Sequence, residues 1–255
     1  SRRLTDPNSI LHSMASAMRH RGPDDHGCWW KADSVGFGVG FAHARLSVLD
    51  VSTSGHQPMI SKSGRFTIVY NGEVYNFRIL RGELEAAGIE FRSGSDTEVV
   101  LEAIEKWGFE NALKRFVGMF AFALYDDHEK SLTLVRDRLG IKPLYVGFQR
   151  GVMVFGSELK PLKEVPDFEF AVNKSSLAEY LDYGYVPCPH SIFTDIWKVP
   201  PGHFTTVDCR TIQDEEEPEF VPYWSVSEVV KHGKGNQFQG SPKEAVDALD
   251  YHLRE

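Results

Sequence analysis

The 255 residues, 42% hydrophobic and 25% charged, are ordinary globular material and suffice for a substantial core. A net charge of −8 argues against nucleic acid or an anionic membrane surface as the main partner, and no apolar run is long enough to span a bilayer. Cys28, Cys188 and Cys209 form no CxxC pair, so they indicate neither a disulfide framework nor a zinc site and fit a reducing cytoplasm.

The spacing of Ile10, Leu11, Met14 and Met18 predicts a short helix over 8–18, stopped by Gly22-Pro23 in the run Arg19 to Asp25. Residues 35–48 alternate small and apolar side chains and read as two buried strands or one bent strand. Arg45 interrupts that apolar run. A guanidinium there needs a carboxylate, either an internal one or that of a ligand held in a fork. Phe66 to Tyr70 reads as a buried strand that Asn71-Gly72 is expected to break, exposing a side-chain amide and a bare backbone N–H at an edge. Two such donors can hold a developing oxyanion, although an ordinary turn accounts for the same residues. Asn76 is the expected N-cap of a helix that carries Phe77, Leu80, Leu84 and Ala87 on one face.

Ser95 and Glu98 form the pattern of a capping box at the start of a helix reaching Trp107. Asp96 is then either a first-turn acid favoured by the helix dipole or a ligand for an ammonium group. A third helix, 109–116, precedes the strand Met119 to Asp126 and its hairpin partner Ser131 to Val135. Arg136 to Tyr145 reads as a salt-bridged turn with Asp137 anchored between two arginines. A second hairpin follows (145–148 and 152–155), then a helix capped by Ser157, a helix over 174–184 and a short strand over 204–207. Residues 232–240 read as a linker, and Ser241-Pro242-Lys243-Glu244 as a strong helix start. No glycine-rich phosphate loop is present, so this part would not bind ATP phosphates.

Taken together, the motifs Arg19-His20-Arg21-Gly22-Pro23-Asp24-Asp25, His43 to Ser47, Gln57-Pro58-Met59, Asn71 to Asn76, Ser95 to Glu98, Gly118 to Asp126, Arg136 to Tyr145 and Ser157 to Lys160 resemble the glutaminase half of the asparagine synthetase family. Arg45-Leu46-Ser47 and the run Arg138 to Tyr145 resemble that branch more than other class II glutamine amidotransferases. The resemblance implies an α+β fold of the N-terminal-nucleophile hydrolase type, a four-layer αββα sandwich of two stacked antiparallel sheets. It implies that Arg45 holds the α-carboxylate of L-glutamine, with Leu46, Ser47 and Val48 alongside. Glu73 and Asp96 would contact the ammonium end, and Asn71 and Gly72 would form the oxyanion hole. Residues 1–208 would be the glutaminase domain, 209–240 an extension and linker, and 241–255 the start of a following synthetase domain. That domain would use ATP and Mg, whereas the glutaminase part needs no cofactor and no metal. The expected partners are glutamine and the synthetase domain; a homodimer is left open.

One departure matters. The family's nucleophile is an N-terminal Cys with its own α-amine as base. Here the sequence opens Ser1-Arg2-Arg3-Leu4, and Ser1 is not expected to substitute. The expectation is therefore glutamine hydrolysis, with ammonia delivered to a synthetase, by a polypeptide whose nucleophile lies outside this sequence. The alternatives are a glutamine-binding or scaffolding module, or a class II amidotransferase with another acceptor.

Overall fold

The computed structural model describes residues 6–33, 36–47, 52–212 and 217–254. The chain divides into two compact units, Ser1–Tyr223 and Trp224–Glu255. The first contains α1 (Pro7–Ala17), β1 (Asp25–Ala32), β2 (Gly38–Arg45), β3 (Met59–Ile60), β4 (Phe66–Val74), α2 (Phe77–Ala86), α3 (Asp96–Trp107), α4 (Phe109–Arg115), β5 (Gly118–Asp126), β6 (Ser131–Arg136), β7 (Tyr145–Gln149), β8 (Val152–Gly156), α5 (Leu159–Leu162), α6 (Lys174–Tyr183), β9 (Ile196–Lys198), β10 (His203–Asp208) and β11 (Val221–Pro222). The second contains α7 (Val226–Gly235) and α8 (Pro242–Arg254).

The first unit is layered as a consequence of strand alternation. A six-stranded antiparallel sheet runs β11-β10-β6-β5-β4-β3. Ile68 and Tyr70 of β4, with Phe120 and Phe122 of β5, join Leu80, Leu84, Val100 and Ile104 of the helices in one core cluster. The residues between them in sequence, Val69, Ala121 and Ala123, point the other way and join Val39, Phe41, Val146 and Phe148. Those belong to the second β layer, whose far side packs with Ile10 and Met14 of α1 and Leu162 of α5. The expected αββα order is therefore observed, with one difference: among the described residues the second layer comprises two separate sheets, β1-β2 and β8-β7-β9.

Several local expectations are corrected. Asn71-Gly72 does not break its strand. β4 continues to Val74, with Asn71 opposite Ala121 and Gly72 opposite Phe120, because pairing along β5 overrides local turn propensity. Of the two alternatives for residues 35–48, a single strand is observed over 38–45, paired with an eight-residue β1. Asn76 makes no capping bond; its side chain ties Arg115 O (3.0 Å) and Val117 N (3.0 Å) to the start of α2. Ser95 does cap α3 through Thr97 N, but Glu98 turns to Ser93 N (2.7 Å) and Arg92 N (2.9 Å) rather than closing the box. Residues 232–235 belong to α7, with Val226, Val229 and Val230 at helical spacing.

The Arg136–Tyr145 turn is not anchored by arginine–carboxylate pairing. Fully buried Asp137 accepts the backbone N–H groups of Leu139, Ile141 and Lys142 at 2.9–3.0 Å. Arg136 instead donates to the carbonyls of Gly140, Lys142 and Val199. A carboxylate facing three peptide donors is satisfied without a cation.

Candidate functional site

Along β4, alternate backbone N–H groups face opposite edges. Those of even-numbered residues face away from β5. Tyr70 N donates to Gln57 Oε1 (2.6 Å) and Val74 N to Asp96 Oδ2 (2.9 Å). Gly72 N lies between them on the same edge, in the wall of a cavity of about 1410 Å³. A Cβ at position 72 would collide with Met119 O and Phe120 Cα, so only glycine lets β5 approach this closely. Asn71, on the opposite face with Val69, also lines the cavity and donates from Nδ2 to Ser157 Oγ (3.3 Å). Ser157 thus steadies that amide instead of capping α5, whose N-cap is Glu158.

Asp96 sits at the first position of α3 and is 4% exposed. Burial pushes its carboxyl above the usual range, against the lowering effect of Val74 N and the Tyr70 hydroxyl, which donates at 3.0 Å. The aspartate is thereby fixed at the Gly72 edge, and Glu73 lines the same cavity. Asp96 is thus a first-turn acid that also lines the cavity.

On the cavity's other side, Arg45 ends β2. Its Nη1 donates to Ser52 O (2.9 Å), and its guanidinium lies against Gly55. Leu46 lines the cavity with a mostly exposed side chain. Ser47 does not; its N–H is held by Asp24 Oδ2 (2.8 Å), and Asp24 N donates back to Arg45 O (3.1 Å). Val48 lies outside the described residues, as do Ser1 to Thr5. The structure therefore gathers Arg45, Leu46, Asn71, Gly72, Glu73 and Asp96 around one cavity.

Sequence reasoning missed the supports: Gln57 and Tyr70 behind the edge, Ser157 at Asn71, Asp24 at residues 45–47. His43 was missed too. It lines the cavity, its Nε2–H donates to Tyr70 O (3.2 Å), and burial pulls its pKa down to about 4, so the ring is neutral. Gln57 and Asp24 stood in recognisable motifs, but nothing local to either names its partner.

None of the three cysteines is an activated thiol. Burial raises Cys28 and Cys188, neither of which lines the cavity, and pushes Cys209 up to about 12. Cys209 does line the cavity, but beside Lys130, at the opposite end of the six-stranded sheet from Asn71. Among the described residues no cluster of His, Cys, Asp and Glu could hold a metal ion.

The layered α+β fold thus places an amide and a backbone donor on one strand, an arginine across the cavity and a buried acid beside the donors. The fold is similar to that of two solved structures. One is glutamine phosphoribosylpyrophosphate amidotransferase from B. subtilis with ADP and GMP (TM-score 0.56, 18% identity, 85% of this chain, 46% of that one). The other is described as the allosteric regulatory enzyme of purine biosynthesis (TM-score 0.59, 19% identity, the same coverage). The chain belongs to the glutamine amidotransferase domain family, whose model matches residues 2–224. It is 36% identical over 208 residues to asparagine synthetase (glutamine-hydrolysing) 3 of Bacillus subtilis and 32% identical over 250 residues to the enzyme numbered 1 of the same organism. Those matches cover 80% and 98% of this chain but 33% and 38% of the relatives' own lengths.

Proposed function

We propose that the cavity binds L-glutamine as the first step of amide hydrolysis. Arg45 takes the α-carboxylate, Asp96 and Glu73 face the ammonium, and the side-chain amide carbonyl meets Asn71 Nδ2 and Gly72 N–H. The observation that carries this reading is the edge of β4. Its N–H groups at 70 and 74 have protein acceptors, and the glycine between them lines the cavity next to Asn71. When a nucleophile attacks the amide carbon, the carbonyl oxygen gains negative charge, and two fixed donors stabilise that charge more than they stabilise the ground state. Burial raises all three thiols, which favours none of them as the attacking group. In the intact polypeptide the released ammonia passes to a synthetase domain following the first unit, which amidates a carboxylate acceptor such as aspartate with ATP and Mg in the cytoplasm. The names and greater lengths of the relatives support that extension.

Calorimetry with residues 1–255 tests the reading. L-Glutamine is expected to bind with no ammonia released above background. Arg45→Ala is expected to weaken binding by at least about tenfold, as loss of a charge-assisted fork implies. Unchanged affinity would remove Arg45 from the carboxylate role, and turnover in a clean preparation would show that the nucleophile lies within the chain.

A further inference from the structure

Asp25 opens β1 directly opposite Arg45, the last residue of β2. Its side chain reaches away from the ladder to His56, whose Nδ1–H donates to Asp25 Oδ2 at 2.7 Å. The Gln57 carbonyl oxygen and the Nε2–Cε1 edge of the His56 ring occupy the space a side chain at Gly27 would need, so the turn lies close against β1. Burial works to raise Asp25, but the His56 bond and its charge hold the carboxyl below the usual range, so it is ionised.

His56 ends the 3-10 turn Thr53–Gly55. That turn closes on itself, with Ser54 N donating to Ser52 Oγ (3.2 Å) and His56 N to Thr53 O (3.1 Å). It also surrounds the guanidinium. Ser52 O accepts from Arg45 Nη1, and Gly55 lies where any β-carbon would overlap Nη2. The next residue, Gln57, is fixed to Tyr70 N of β4. The turn that aims Arg45 is thus tied to β4 through Gln57 and to β1 through the Asp25–His56 bond.

We propose that Asp25 and His56 form a latch that sets the direction of the Arg45 guanidinium, making both positioning residues for a carboxylate-bearing substrate. The inference rests on the reading of Arg45 given above. A loosened latch lets the turn and the guanidinium shift together, and misplacement of about 1 Å in a positioning group costs up to about a hundredfold. A loop brace of purely structural value would affect every ligand of the cavity alike, whereas the latch acts on the carboxylate end alone.

The test pairs L-glutamine with 4-aminobutanamide, the same molecule without its α-carboxylate, in binding titrations of the protein and its variants. His56→Ala is expected to weaken glutamine binding about tenfold and to leave 4-aminobutanamide within about twofold, an effect smaller than full misplacement because Gln57 still holds the turn. His56→Asn, whose amide can donate to Asp25 from nearly the position of Nδ1, is expected to restore glutamine affinity. Gly55→Ala, which drives a methyl into the guanidinium and leaves the latch closed, is expected to show the same carboxylate-selective loss and serves where His56→Ala fails to fold. Discrimination between the two ligands that survives His56→Ala overturns the latch alone; discrimination that survives Gly55→Ala removes the guanidinium from that role, and the latch with it. A wild-type protein that binds both ligands alike removes Arg45 from the carboxylate role, and the latch with it.

Discussion

His43 lines the cavity and also holds the backbone of β4. It lies on β2 two residues before Arg45, with its Nε2–H on Tyr70 O. Burial lowers its pKa from the ordinary 6.5 to about 4, with the charge of Arg45 adding to the effect. Between those values the unfolded chain binds more protons than the folded one, so stability rises with pH across the window and falls as the ring is forced to protonate. With allowance for its partial exposure, the contribution lost on acidification is about 2 kcal/mol. Denaturant titrations from pH 4 to 6.5 are expected to show this slope, and His43→Gln, which keeps a donor for Tyr70 O, is expected to flatten it. An equal slope in the variant would assign it to other groups.

At the scale of elements, the Arg136–Tyr145 turn depends on one carboxylate. Asp137→Ala removes the acceptor of three N–H groups, and at about 1 kcal/mol each the loss is about 3 kcal/mol. Denaturant unfolding measures it, and a change under about 1 kcal/mol would show that water replaces the carboxylate. The same turn shows what local patterns convey. Its charge and its Gly/Pro punctuation marked it as a fixed turn, but the choice of peptide donors over arginines depends on how the chain curls in space. β4 and β5 were legible because both faces of each are covered, which demands a continuous apolar run. Asn71-Gly72 was misread as a break because turn preference is a local signal, and its opposite number, Ala121-Phe120, lies about fifty residues away. Arg45 stood out because charge in an apolar strand is costly, and Asp96 because a first-turn acid suits the helix dipole. The supports of the site, Tyr70, Gln57 and Ser157, carried no such mark, and the choice of glutamine over other zwitterions needed the resemblance.

For the whole molecule, all three core clusters lie within the first unit, and no described residue of α7 or α8 is buried. A chain ending at Tyr223, whose hydroxyl donates to Arg136 O (2.9 Å), is expected to melt within about 2 °C of the full 255 residues. A larger fall would mean that the second unit contributes to the first unit's core stability. The layered fold brings Arg45 from one sheet and Asn71, Gly72, Glu73 and Asp96 from around the other to a single cavity, and the central claim is that this cavity holds glutamine in one orientation. A crystal structure of the complex with L-glutamine tests it most directly. The account predicts the α-carboxylate against Arg45, the ammonium toward Asp96, and the amide oxygen within hydrogen-bonding distance of both Asn71 Nδ2 and Gly72 N. Glutamine bound in the reverse orientation, or away from the Gly72 edge, would contradict it.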